Sequence, residues 1–158
     1  MLTIRAAAAQ DYDVISRLLA ELDAIHAARE PSVFRPAAPP ARSKEYLDGL
    51  LSDPTVGLFI AEADSMPVGL VHLQIRHAPD YSMLVPRTYA HMEGLVVTEG
   101  ARGIGVGKAL VGYAEKWSLA HGCTKMQLGV WEFNSPAIAF YERSGYRTFA
   151  RRMWKDLL

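Results

Sequence analysis

Apolar and polar residues alternate from Leu2 to Arg5, which predicts a short strand. From Asp11 the period changes. Val14, Ile15, Leu18, Leu19, Leu22 and Ile25 fall on one helical face, with Asp13, Arg17, Glu21 and Asp23 mostly off it. This is an amphipathic helix of about four turns that ends before Pro31. Pro31, Pro36, Pro39 and Pro40 make residues 31–42 a loop, and Ser43 caps a short second helix running to about Leu51. Val56–Ala63 and Val68–Arg76 read as two arms of an antiparallel hairpin around Asp64-Ser65-Met66-Pro67.

After a loop over 77–87, Tyr89–Val97 reads as a strand that runs into a glycine-rich segment. Val106, Ala109, Leu110, Tyr113, Ala114 and Trp117 then mark a helix to about His121, stopped by Gly122. Lys125–Val130 is a strand. Ser135–Arg143 is a short helix with Pro136 in its first turn, ended by Gly145. Tyr146–Lys155 supplies one or two final strands. The order β-α-α-β-β-β-α-β-α-β predicts a mixed α/β (α+β) fold with about four helices, in a single domain over 1–158.

Composition narrows the function classes. Of 158 residues, 50% are apolar and 22% charged, with 17 basic and 17 acidic residues and a formal net charge of zero. A protein that relies on phosphate contacts to bind nucleic acid would be more basic. No stretch approaches the roughly 18 apolar residues of a membrane span, and Met1-Leu2-Thr3-Ile4-Arg5-Ala6 lacks the features of a signal peptide. The expectation is a cytoplasmic protein without membrane or nucleic-acid partners. The one cysteine, Cys123, allows no intrachain disulfide and no cysteine-based zinc cluster. No metal site is expected.

The glycine-rich segment is Arg102-Gly103-Ile104-Gly105-Val106-Gly107-Lys108. It follows a strand and opens a helix. Glycine lets backbone N–H groups approach an anion, and the helix N-terminus adds unpaired donors and partial positive charge. The arrangement suits a phosphate or pyrophosphate. A Walker loop would need glycine at Arg102 and a hydroxyl at Ala109, and a dinucleotide fingerprint from Gly103 would need glycine at Lys108. Neither fits.

A second motif lies downstream: Asn134-Ser135-Pro136-Ala137-Ile138-Ala139-Phe140-Tyr141-Glu142-Arg143-Ser144-Gly145-Tyr146. Taken alone, Asn134 is a helix cap and Tyr141 a packing aromatic. Together the two segments resemble the Arg/Gln-x-x-Gly-x-Gly/Ala and Asn-x-x-Ala-x-x-x-Tyr-x-x-x-Gly-Phe/Tyr motifs of the GNAT superfamily of N-acetyltransferases. The resemblance covers essentially the whole chain. It implies a mixed sheet of six to seven strands in which Tyr89–Val97 and Lys125–Val130 form a splayed parallel pair. The gap between them would admit the pantetheine arm of acetyl-CoA, the co-substrate.

The resemblance also implies residue roles. Backbone groups of Leu95, Val96 and Val97 would pair with the pantetheine and supply an oxyanion donor. N–H groups of Arg102, Gly103, Ile104, Gly105, Val106, Gly107 and Lys108 would hold the pyrophosphate. Asn134 would bond the cofactor arm, with Ala137 and Phe140 beside it. Tyr141 would stand near the sulfur and protonate the leaving thiolate. An alkylammonium with a pKa near 10 must lose a proton before it attacks. Strand alternation sets His91, Glu93 and Leu95 on one face, and the resemblance, which implies a base or water relay at this place on the strand, favours Glu93 with His91 as relay or alternative. The competing reading pairs Glu93 with a nearby arginine.

The implied activity is acetyl transfer to a primary amine by direct attack in a ternary complex. The alternative is a non-catalytic acetyl-CoA sensor or interaction module. The acceptor pocket, by the same resemblance, draws on the first helices, the 27–42 and 77–88 loops and the C-terminus. Its residues carry mixed charge: His26, Arg29, Glu30, Arg35, Asp80, Tyr81 and Arg87. No acidic pocket for a polycation is evident. Where some protein N-terminal acetyltransferases of the superfamily carry a glutamate ahead of the motif asparagine, this chain has Gly129. The acceptor, a small molecule or a peptide, therefore stays open, as does a homodimer.

Overall fold

A computed structural model describes residues 1–36 and 38–158. Its strands are β1 (Leu2–Ala6), β2 (Val56–Ala63), β3 (Met66–His77), β4 (Thr88–Val97) and β5 (Met126–Leu128). Its helices are α1 (Tyr12–Arg29), α2 (Lys44–Ser52), α3 (Val106–Ala120) and α4 (Ser135–Arg143). The loop predicted over 31–42 includes Ala37, which lies outside the described residues.

The strands form one sheet in the order β1-β2-β3-β4-β5, antiparallel except for the parallel β4–β5 pair. The fold class is the expected one, with five strands among the described residues rather than six or seven. The difference lies after Tyr146. The residues from there to Lys155 form no strand, and Lys125–Val130 contracts to Met126–Leu128.

Alternation along the strands builds two cores, one on each face of the sheet. Leu58, Ile60, Leu70 and Val96 pack with Ile15, Leu18 and Leu47 of α1 and α2. Phe59, Val71, Leu73 and Met92 pack with Val106, Leu110 and Ala114 of α3. Tight turns hold the elements in register. Asp64 and Ser65 both take positive φ, 49° and 65°, to close the β2–β3 hairpin. Ser43 Oγ accepts the Tyr46 N–H at 3.1 Å, capping α2 as predicted.

One irregularity bears on the site. His72 pairs with Gly94 and Leu73 with Met92, so Glu93 is an extra residue in β4, a β-bulge. The bulge resets the alternation. Before it, Met92 faces α3; beyond it, Leu95 joins the α3 core and Val96 the α1 core. His91, Glu93 and Leu95 therefore do not share one face. Leu95 lies opposite the other two.

Candidate active site

β4 and β5 pair through Ala90–Met126, His91–Gln127 and Met92–Leu128, and there the pairing ends. β4 continues to Val97 along β3 alone, so the edge it turns away from β3 is open. The Thr98 N–H donates to Val68 O at 2.9 Å, toward β3. Alternation then aims Val96 the same way, and a Cβ built on Gly69 of β3 would stand 3.0 Å from Val96 O. Leu95 and Val97 turn their backbone groups to the opening. Of the three residues expected there, Val96 is spent on β3.

The glycine turn abuts this opening. Gly103 and Gly105 have φ of 79° and 93°, a region where a side chain would strain the backbone. Gly105 is the N-cap of α3, and no side chain caps the helix, so its first N–H groups stay available to an anion. Arg102 Nε donates to Val97 O at 3.0 Å and ties the turn to the end of β4. A Cβ built on Gly107 would lie 3.4 Å from Phe140 and 3.8 Å from Val97. The start of α3, the end of β4 and α4 thus converge, and a side chain longer than a methyl at 107 would collide with them. The geometry fits the pyrophosphate and arm of a coenzyme A thioester.

α4 carries the second motif. Asn134 Oδ1 accepts the Ala137 N–H at 3.3 Å, so Asn134 is a helix cap whose amide NH2 is left to donate. Tyr141 reaches the apex of the splay. Its hydroxyl points at Met92 Sδ, 3.9 Å away, beside the last β4–β5 pair. Phe140 and Tyr146 flank it at ring separations of 5.2 and 5.6 Å. Burial pushes the Tyr141 hydroxyl up to about 12, because a phenolate would be poorly solvated there. The group keeps its proton at neutral pH.

The α1 face of the sheet carries the other polar groups. Glu93 is ion-paired through Oε1 with Arg76 of β3, the arrangement that the competing reading of the sequence anticipates. Its Oε2 makes no hydrogen bond among the described residues. Gln127 Nε2 donates to His91 Nδ1 at 3.4 Å, which leaves the proton of a neutral ring on Nε2. Burial lowers the His91 pKa, against an opposing pull from Glu93. His72, across from Gly94, is similarly lowered by burial, and its Nε2 is buried without a partner. Sequence reading left His72 unplaced, because its face was fixed only once the β3–β4 register was known.

Around His26, expected in the acceptor pocket, stand aromatic residues that were not read from the sequence. His26 of α1 lies 5.0 Å from Phe34 and 6.1 Å from Phe133, and Phe34 lies 5.0 Å from Trp131. These rings come from α1, the following loop and the β5–α4 connection. They join the two sides of the splay on the α1 face. Close by, Arg42 holds Asp23 at 2.7 Å. Of the other expected pocket residues, Arg29, Arg35, Asp80 and Tyr81 are exposed, and Arg87 lies over the Tyr89 ring at 5.7 Å.

A groove of about 640 Å³ runs between α3 and β1, lined by Ile4, Lys108, Tyr113 and Lys116. It leads along the edge of the sheet opposite β5 and away from Tyr141. Cys123 is buried, and burial raises its thiol pKa, so it is not an activated nucleophile. No helix among the described residues is long and apolar enough to cross a membrane.

Comparison with known proteins points the same way. The profile of the acetyltransferase (GNAT) family matches residues 19–146. The aminoglycoside N(6')-acetyltransferase type 1 of Klebsiella aerogenes is 31% identical over 107 residues, covering 68% of this chain and 69% of that protein. Among solved structures, a mutant of the BH1408 protein from Bacillus halodurans superposes with a TM-score of 0.92 at 23% identity, covering 99% of both chains. The aminoglycoside N-acetyltransferase AAC(6')-Iy in complex with CoA gives a TM-score of 0.75 at 19% identity, covering 98% of both chains.

Proposed function

This chain belongs to the acetyltransferase (GNAT) family and is an acyltransferase, and we propose that it moves the acetyl group of acetyl-CoA to a primary amine by direct attack in a ternary complex. The observation that carries this reading is the convergence of three features at one opening. They are the uncapped glycine turn, the free edge of β4 and the Tyr141 hydroxyl.

Acetyl-CoA supplies an acyl group activated as a thioester. N–H groups from Arg102 to Lys108 hold its pyrophosphate, and the backbone of Leu95 and Val97 pairs with its arm. The same edge offers an N–H to the carbonyl oxygen as charge gathers on it. Asn134 contributes its side-chain NH2 to the arm, with Ala137 and Phe140 packing beside it. Tyr141 donates a proton to the departing sulfur. A thiol pKa near 8.5 makes that sulfur a fair leaving group, so the assistance is modest.

Proton removal from the amine falls to the α1 face. Glu93 Oε2 is the acceptor, while Arg76 holds the other oxygen and fixes the rotamer. His91, with its proton on Nε2, relays rather than initiates. The amine approaches past the aromatic rings of His26, Phe34, Trp131 and Phe133. Asp23 and Glu93 are each neutralised by an arginine, which disfavours a polycation and favours a small amine or peptide end with an apolar body. The matched family and the two aminoglycoside N-acetyltransferases similar to this chain support an enzyme over a sensor.

A thiol-release assay across amines of graded charge tests the reading. The expected result is amine-dependent release of CoA, strongest for monoamines with a flat apolar group. Calorimetric binding of acetyl-CoA with no release for any amine would favour the sensor.

A further inference from the structure

The rings on the α1 face close into a circuit. His26 lies 5.0 Å from Phe34, Phe34 5.0 Å from Trp131, Trp131 6.0 Å from Phe133, and Phe133 6.1 Å from His26. All four are half-buried. Aromatic walls of this kind suit a flat apolar ring. Their hydrogen-bonding capacity is unequal. The phenylalanine rings offer none, and the indole of Trp131 offers only a donor. His26 differs. Its Nδ1 lies 2.9 Å from Leu22 O, and a carbonyl oxygen only accepts, so Nδ1 carries a proton. In the neutral ring Nε2 is then a lone-pair acceptor, the only one among the four side chains. No described residue donates to it. The one buried side-chain nitrogen or oxygen without a partner among the described residues is His72 Nε2. His26 Nε2 is therefore unpaired and open to an approaching molecule.

A ring seated in the circuit displaces water from that nitrogen. If the ring carries an O–H or N–H donor, the lost bond is replaced. A ring without one leaves the lone pair desolvated and unpaired. The charged groups of the same face are already engaged. Arg42 grips Asp23 through two contacts of 2.7 and 3.1 Å, and Arg76 holds Glu93. Discrimination between neutral rings thus falls to a neutral group. We propose that His26 is a specificity-determining residue for the acceptor. Its Nε2 receives a hydrogen bond from an O–H or N–H on the edge of the bound ring, so the favoured acceptors are amines that bear a hydroxyaryl or N–H heteroaryl group. This deepens the acetyltransferase reading and rests on it for the identity of the ring-bearing molecule as the acceptor.

Two ligands separate the bond from the packing. One is para-hydroxybenzylamine, which has the donor; the other is its O-methyl ether, with the same ring and amine but no donor. Calorimetry on the chain with CoA present, at about pH 8, should give a dissociation constant about tenfold lower for the phenol. In His26→Phe, which keeps a ring against Phe34 and Phe133, the ratio should fall below about twofold. His26→Gln, whose amide oxygen can accept, should restore part of it. Each ratio compares two ligands on one protein, so a general loss of stability cancels. Equal affinities for the unaltered chain, no binding of either ligand, or a ratio that survives in His26→Phe overturns the assignment. Thiol release with both amines is scored separately. A binding ratio without release from any amine removes the acetyltransferase reading alone, and release without the ratio removes the His26 assignment alone.

Discussion

The two walls of the cleft are built very differently. β4 has ten residues, a full antiparallel partner in β3, and a helix on each face. β5 has three residues, one partner, and leads through α4 into an uncovered segment. One wall is part of the core; the other is attached to it at a single parallel pairing. The glycine turn and the proposed proton acceptor Glu93 stand on the firm wall. Tyr141 and Asn134 stand on the weaker one. On the proposed reading, then, the donor is held mainly by the better-supported wall.

The largest expected effect breaks the firm wall. Leu110 is fully buried between α3 and the sheet. Leu110→Ala should cost about 2–5 kcal/mol of folding stability. Chemical denaturation measures it, and a loss below 1 kcal/mol would mean that this core relaxes more easily than its packing implies.

Next is the residue that crosses from the weak wall to the strong one. Tyr141→Phe keeps the ring and its contacts with Phe140 and Tyr146, and removes only the hydroxyl. Turnover should fall about tenfold to a hundredfold, with acetyl-CoA affinity changed less than about twofold. Because its pKa is pushed up to about 12, no rate limb from Tyr141 should appear up to pH 9. Equal turnover in the variant removes the acid role.

Glu93→Gln probes the bulge on β4. It should lower kcat/KM about tenfold near pH 7 and flatten the rise of rate with pH. A profile that keeps its shape sinks Glu93 as base and makes its pairing with Arg76 purely structural.

Much of the fold on both walls was legible in the sequence. The periods of α1 and α3, the β2–β3 hairpin and the bounds of α4 are local patterns, and each appears where the residues predict it. Ser43 and Gly105 act as their types suggest. What escaped was non-local. The bulge at Glu93 depends on pairing with β3, so simple alternation set Leu95 on the wrong face. The Arg76 contact needed the same register. The strands expected after Tyr146 have the right composition but pair with no strand among the described residues. Strand propensity reports a fit to a sheet and not the presence of one. The aromatic group of His26, Phe34, Trp131 and Phe133 comes from three distant segments, and no spacing in the chain foretells it.

The smallest expected effect is confined to a narrow range of pH and asks how dry the α1 face of the firm wall is. Burial lowers the pKa of both His72 and His91 below 6.5. For His72, Glu93 opposes the shift and Arg42 adds to it. Between the lowered folded value and 6.5 the unfolded chain binds more protons than the folded one, so stability rises with pH across that window and is lost as the pH falls below 6.5. Replacing the ring with an uncharged amide, His72→Gln, removes one such group while keeping a polar side chain on β3. The stability of the variant should then depend less steeply on pH just below 6.5, as read from denaturant midpoints. An unchanged slope would mean that water reaches His72 and that the β4 side is not closed to solvent. That outcome would also erase the contrast between the walls at the place proposed for proton removal. A flatter slope ties the dryness of that face to the same packing of α1 over Gly94, where a Cβ would meet Leu22 at 3.2 Å.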